Sequence, residues 1–100
     1  MSYFVQVFRA KIDPANVQRL RQIRPRAIAE AQRACPALVR AELVRLDEET
    51  WLDVLTWSAP DGDQQLMARA HGLAALGEMH GLVRDVVAVD KGELLTSTAL

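Results

Sequence analysis

Apolar and polar positions along the chain divide it into six segments of regular structure. Tyr3–Ala10 is rich in β-branched and aromatic residues and is apolar on both alternating faces, which predicts a strand. From Asp13 to about Ala34 the apolar residues return at helical spacing, with arginine and glutamine on the opposite side, which predicts an amphipathic helix. Asp13 is suited to cap the free N–H groups at the helix start, and Pro25 is expected to kink the helix.

Two further strands, Leu38–Leu46 and Thr50–Ser58, are predicted on either side of an acidic turn. With the turn centred on its two glutamates, Arg40 lies opposite Trp57 in the neighbouring strand. This register places a mixed group of side chains on one face of the sheet: Arg40, Glu42, Asp53 and Trp57. A bulge in the turn would shift the register and change that grouping.

The last third of the chain predicts one more helix and one more strand. The helix covers about residues 63–82, and a break is expected near His71 or Gly77 because glycines interrupt the apolar pattern there. Val83–Asp90 is apolar on both alternating faces, as the first strand is.

The resulting order of elements is β-α-β-β-α-β, the ferredoxin-like arrangement. We therefore expect a single α+β domain over residues 1–100, with a loose tail from 93 to 100. Right-handed crossovers place both helices on one face of a four-stranded antiparallel sheet. Three of the four strands are apolar on both faces, so the uncovered face needs a partner, and we expect a homodimer that pairs through this sheet face.

Composition narrows the classes of partner and the compartment. The chain carries 12 basic and 13 acidic side chains, a formal net charge of −1, which argues against sequence-independent binding of nucleic acid. No apolar run reaches the roughly 18–20 residues that span a bilayer, and the N-terminal segment lacks the pattern of a signal peptide. A single cysteine, Cys35, permits no internal disulfide. We expect a cytoplasmic protein that binds neither nucleic acid nor membrane.

The order and lengths of the elements, the segment Thr50–Ser58 that leads into the second helix, and the tryptophan near its end together carry a family resemblance. Arg24-Pro25 and Cys35-Pro36 add to it. Over about residues 3–92 the chain resembles the dimeric α/β-barrel superfamily, specifically the antibiotic biosynthesis monooxygenase-like domains of bacteria. These motifs specify a fold more sharply than a reaction.

The resemblance implies a cofactor-independent monooxygenase that acts on an aromatic or polyketide-like small molecule, with no flavin or metal required. The alternative is a non-catalytic dimeric module that binds a small ligand or a partner, and haem degradation is a further branch of the superfamily. Quinone-forming relatives are expected to use a pocket asparagine, but the only asparagine here is Asn16. Haem-degrading relatives carry an asparagine on strand one, where this chain offers Gln6.

Five residues are candidates for the site. The resemblance and its position near the second helix suggest Trp57 as the pocket tryptophan, and His71 is the proton-transfer candidate because an imidazole titrates near neutrality. Arg24, Arg40 and Asp53 are candidate substrate-binding residues. Arg24 falls on the apolar side of its helix and would bind an anionic group, unless it pairs with a carboxylate such as Asp53 or the Pro25 kink exposes it. Arg40, Glu42 and Asp53 would otherwise form a structural polar network, and His71 would otherwise be structural or exposed.

The remaining residues with chemical potential receive structural interpretations. No spacing of histidine and cysteine fits a zinc site, and His71 and His80 would lie on opposite sides of a continuous helix, so no metal is expected. Cys35 is interpreted as a buried apolar filler, as are Met67 and Met79 within the core.

Overall fold

A computed structural model describes residues 2–100 of the chain. Four strands and three α-helices follow one another along it, together with two short 3-10 turns at 14–16 and 70–72. The elements are β1 (Tyr3–Ile12), α1 (Val17–Ala34), β2 (Leu38–Arg45), β3 (Thr50–Trp57), α2 (Gly62–Arg69), α3 (Ala74–Gly81) and β4 (Val83–Leu94).

The strands form one antiparallel sheet in the order β2-β3-β1-β4. The two central strands, β1 and β3, each begin one of the two β-α-β crossovers, as the ferredoxin-like arrangement requires. The predicted fold class is therefore confirmed.

The first helix starts and continues as its sequence predicts. The side chain of Asp13 accepts a hydrogen bond from the backbone N–H of Ala15 at 2.9 Å, with Pro14 next to it. Pro25 lies inside α1, which remains one helix from Val17 to Ala34. The buried side of α1 packs on the sheet, and the core between them also takes residues from β2, β3, α2 and α3. Its members include Leu20, Ile23, Ala27, Ala31, Leu38, Trp57, Leu66, Leu76 and Met79.

The predicted register between β2 and β3 is wrong by one residue. Arg40 lies opposite Thr56 and Leu43 lies opposite Asp53, with an irregularity between Leu38 and Arg40. The cause is the turn between the strands. There the side chain of Asp47 accepts hydrogen bonds from the backbone N–H groups of Glu49 and Thr50, at 2.9 and 2.7 Å. These bonds hold the pKa of Asp47 below its usual range, chiefly through the N–H of Glu49. A slip of one residue turns the side chains to the other face.

The C-terminal half refines two further predictions. The second helical segment is broken at His71, as predicted, into α2, a 3-10 turn at Ala70–Gly72, and α3. The last strand is longer than predicted, since β4 continues to Leu94 and pairs with β1 down to Tyr3. The tail is expected to begin at residue 93, but residues 93 and 94 still pair with β1, which begins at Tyr3. Only residues 95–100 of the tail lack regular structure.

The helices cover one face of the sheet, and the other face stays open within this chain. Residues on the open face alternate with the buried ones along β1 and β3, and five of them are only half-buried: Val5, Val7, Leu52, Val54 and Thr56. The open face also carries Arg40 and Glu42 from β2, whose side chains are 68% and 55% exposed.

Candidate functional site

A cleft of about 760 Å³ lies between the helices and the helix-facing side of the sheet. Its wall is mainly apolar, with residues from strands and helices alike: Phe8, Ile28, Leu38, Leu55, Leu66 and Leu76. A few polar groups enter it from β1, β3, the start of α2, the end of α3 and the start of β4. This combination of an apolar wall and few polar groups is typical of small-molecule sites.

Trp57 closes one end of the cleft, and a glycine fixes its position. The indole is 1% exposed, so it is part of the core as well as of the wall. It packs directly on Gly62 at the start of α2, where a Cβ atom would lie 2.6 Å from Cε3 and 3.0 Å from Cδ2 of the ring. Only glycine leaves room for this close approach.

Gln6 supplies the central polar group of the same end of the cleft. It sits on the helix-facing side of β1, opposite Leu55 in β3, and is 7% exposed. Its Oε1 accepts a hydrogen bond from Nε1 of Trp57 at 3.2 Å, and its Nε2 donates to Oδ2 of Asp63 at 3.3 Å. An amide nitrogen carries two hydrogens, so the second N–H of Gln6, for which residues 2–100 provide no acceptor, is available to a molecule in the cleft.

Asp63 links this cluster to the edge strand. Lys91 of β4 lies opposite Gln6 in the sheet and donates from Nζ to Oδ1 of Asp63 at 2.9 Å and to the carbonyl oxygen of Pro60 at 2.5 Å. The hydrogen bond from Lys91 holds the pKa of Asp63 below its usual range. The carboxylate is therefore ionised at neutral pH and acts only as an acceptor.

Arg24 and Asp53 form a second polar cluster, which joins α1 to β3. Both terminal guanidinium nitrogens of Arg24 donate to the Asp53 carboxylate, Nη1 to Oδ2 at 3.0 Å and Nη2 to Oδ1 at 2.9 Å. The Arg24 side chain is 12% exposed and the Asp53 side chain 25%. Of the alternatives for Arg24, pairing with Asp53 is the one observed, and Asp53 rather than Arg24 lines the cleft.

The remaining predicted site residues lie elsewhere. The observed register puts Arg40 on the open face, so Arg40 and Trp57 do not share a face. The Arg40 side chain is exposed, with its Nε 4.0 Å from Oε1 of Glu42. His71 is exposed in the 3-10 turn between α2 and α3 and is not among the residues that line the cleft. His80, in the last turn of α3, does line it.

Two of the three residues interpreted as core fillers are buried, and the third is not. Cys35 is fully buried, and Met79 is 4% exposed in the core. Met67 is 65% exposed at the cleft, so its interpretation as a core filler is wrong. It follows Leu66 on the short helix α2, and the turn of the helix that buries Leu66 places its neighbour outside. Among residues 2–100 no three metal-ligating side chains gather in one place.

Six polar cleft residues are not among the predicted site residues: Gln6, Asp63, Gln64, His80, Arg84 and Asp85. For Gln6 the sequence holds a signal, because it is the one polar residue in the apolar run from Phe4 to Phe8. A polar residue at a core position needs a partner or a ligand. Asp63 and His80 give no such signal, since their placement depends on where α2 begins and where α3 ends.

Comparison with solved structures identifies the class of fold. A proposed antibiotic biosynthesis monooxygenase from Bordetella bronchiseptica is similar, with a TM-score of 0.79 and 12% identity, over 96% of this chain and 100% of that one. SnoaB, a cofactor-independent oxygenase from Streptomyces nogalater, matches with a TM-score of 0.66 and 18% identity, over 100% and 98%. A dimeric ferredoxin-like protein from an uncultured marine organism matches with a TM-score of 0.67 and 10% identity, over 100% and 94%.

At these identities the likeness shows the fold, and it confirms that this chain has the fold of antibiotic biosynthesis monooxygenase-like proteins. No protein-family model matches the sequence, and no curated protein matches it either. Within residues 2–100, no helix has the length and apolar character to cross a membrane.

Proposed function

We propose that the chain is a cofactor-independent monooxygenase that oxidises an aromatic or polyketide-like small molecule in the cleft between helices and sheet. The observation that carries the proposal is the buried Gln6, which bonds Trp57 through Oε1 and keeps one N–H without an acceptor in the mainly apolar wall of the cleft. The fold it shares with SnoaB, a cofactor-independent oxygenase, supports the reaction class.

The chemistry asks little of the protein beyond binding and charge stabilisation. A phenol with an acidic ring CH₂ loses a proton to give an anion whose charge is spread over oxygen and carbon. The carbon donates electrons to dioxygen, and one oxygen atom becomes the new carbonyl. The second oxygen leaves as water with both hydrogens of the CH₂ group, so no external reductant is consumed.

In this site the Gln6 N–H would donate to the anionic oxygen and stabilise the charge as it forms. Trp57 would form part of the apolar wall against which the flat ring lies. His80, which lines the cleft, would take the proton-transfer role that the sequence suggested for His71, because an imidazole nitrogen can accept a proton.

Oxygen uptake with anthrone tests the proposal. We expect the wild type to take up oxygen faster than buffer. The rate should fall about tenfold or more in Gln6→Leu, since removing one oxyanion donor lowers a rate roughly 10²–10³-fold in favourable cases. His80→Gln should also be slower. His71→Gln is the matched control and is expected to keep the wild-type rate. Wild-type uptake equal to that of buffer would contradict the proposal for this substrate class.

A non-catalytic ligand-binding module is the second candidate. It is favoured by one observation: Arg24 is paired with Asp53 outside the cleft wall, and among residues 2–100 Arg84 is the single arginine that lines the cleft. Native mass spectrometry of the purified protein distinguishes the two, since a retained small molecule without oxygen uptake supports binding alone. A Soret shift on addition of haem would point to the haem branch instead.

We infer further that two copies pair through the open sheet face. The half-buried valines of β1 and β3 form an apolar strip there, and a similar fold is found in a dimeric ferredoxin-like protein. Light scattering at micromolar concentration is expected to give the mass of a dimer for the wild type and of a monomer for Val54→Lys. A monomeric wild type would contradict this inference.

A further inference from the structure

The Gln6 amide can offer either an acceptor or a donor to the cleft, depending on how it is turned. Two neighbours decide between these orientations. The indole N–H of Trp57 is a donor only and requires Oε1 on its side at 3.2 Å. The ionised carboxylate of Asp63 is an acceptor only and requires Nε2 on its side at 3.3 Å.

Lys91 acts on this amide through Asp63. Its Nζ is held between Oδ1 of Asp63 and the carbonyl oxygen of Pro60, and the side chain is 31% exposed. This contact keeps Asp63 ionised and fixes the carboxylate against the start of α2. The second oxygen of Asp63 is then left facing Gln6.

We propose that Asp63 and Lys91 are positioning residues that lock the Gln6 amide with an N–H toward the cleft, so that the cleft selects aromatic ligands with a hydrogen-bond-accepting oxygen. The ligand preference rests on the proposed function, because it requires that the cleft binds flat aromatic molecules. The lock itself depends only on contacts within the chain.

Three tricyclic probes of the same shape test the selection: fluorenone carries an acceptor oxygen, fluorene carries no polar group, and carbazole carries a donor. Quenching of tryptophan fluorescence reports their binding. We expect fluorenone to bind about 3–10 times more tightly than fluorene, since a neutral hydrogen bond contributes about 0.5–1.5 kcal/mol. Carbazole is expected to bind no better than fluorene.

Asp63→Asn is the decisive variant. Lys91 donates only, so it would take the oxygen of the new amide and leave its NH₂ group facing Gln6. That arrangement opposes the locked orientation, and the fluorenone preference is expected to fall to within about twofold. Lys91→Met is expected to lower it in the same direction. Asp61→Asn and Lys11→Met are the matched controls, because Asp61 bonds Gln65 and Lys11 bonds Thr50, and neither residue lines the cleft.

The side-chain amide signals of Gln6 in ¹⁵N-resolved NMR, assigned with Gln6→Leu, test the lock without any ligand. We expect them to shift in Asp63→Asn and Lys91→Met and to stay in place in the two controls. If the ratio of fluorenone to fluorene affinity is the same in the wild type and in all variants, the proposed selection is wrong, while the proposed binding of aromatic molecules stands. If no probe binds the wild type, the proposed function fails for tricyclic aromatics, and unshifted Gln6 signals in Asp63→Asn would overturn the lock.

Discussion

Replacing Gly62 with alanine perturbs the contact that holds Trp57 in the cleft wall. The added methyl group would lie 2.6 Å from Cε3, 3.0 Å from Cδ2 and 3.2 Å from Cβ of Trp57. Carbon atoms do not pack this closely, so either the indole or the start of α2 must move. The indole is 1% exposed and is packed in the core, so a movement disturbs its neighbours as well.

The expected cost has two parts. Overpacking of a filled core costs about 1–3 kcal/mol. If the indole moves, its hydrogen bond to Gln6 is lost, which adds about 0.5–1.5 kcal/mol. We therefore expect Gly62→Ala to lower the free energy of unfolding by about 2–4 kcal/mol, although alanine is the better helix former.

Urea denaturation gives the loss of stability, and the indole N–H signal of Trp57 in NMR reports the local change. Trp51→Phe identifies which of the two indole signals belongs to Trp57. Gly77→Ala is the matched control, because a Cβ there meets nothing within 4 Å and the site lies inside α3. It is expected to be neutral or up to about 1 kcal/mol stabilising. A Gly62→Ala protein as stable as the wild type, with an unmoved Trp57 signal, would refute the reasoning.

Three further changes test other contacts. Arg24→Met is expected to lower the free energy of unfolding in urea by about 2–4 kcal/mol, because it leaves a three-quarters buried carboxylate without a partner. The double variant Arg24→Met/Asp53→Asn should lose less stability than the sum of the two single losses, and strictly additive losses would contradict the pairing. Glu30→Ala is expected to cost about 1 kcal/mol, since its carboxylate caps the N–H groups of Ala75 and Leu76 at 2.9 and 3.2 Å, and an unchanged urea midpoint would contradict the cap. The lowered pKa of Asp63 predicts that its stabilisation is complete above its unfolded-state pKa of about 3.9 and is lost as the pH falls through the folded value. The gap in urea midpoint between wild type and Asp63→Asn should then narrow from pH 7 to pH 3, and a constant gap would argue against the Lys91 contact.

The fold follows from signals that are local and repeated. Strand β1 shows two apolar faces, α1 shows one apolar side with Asp13 at its start, and the order of elements leaves few topologies. Each of these signals survives an error of one or two residues at an element's end. That is why the architecture could be predicted even though β4 proved four residues longer.

The site depends on details that such signals do not carry. One residue of slippage at the Asp47 turn moved Arg40 from the predicted face to the other, since alternation in a strand has no tolerance for an odd shift. The pairing of Arg24 with Asp53 could be foreseen because a buried guanidinium needs an anion. The Asp63–Lys91 contact joins residues 28 positions apart and depends on how α2 is placed over β4, which no local pattern specifies.

The most direct test of the central claim is the fate of ¹⁸O₂ in the reaction with anthrone. The account predicts a quinone that carries one ¹⁸O atom, formed faster than in buffer, with the other atom in water. It predicts that Gln6→Leu loses this enzymatic excess while its circular dichroism remains that of the folded protein. A quinone formed no faster than in buffer, or one whose new oxygen comes from water, would contradict it.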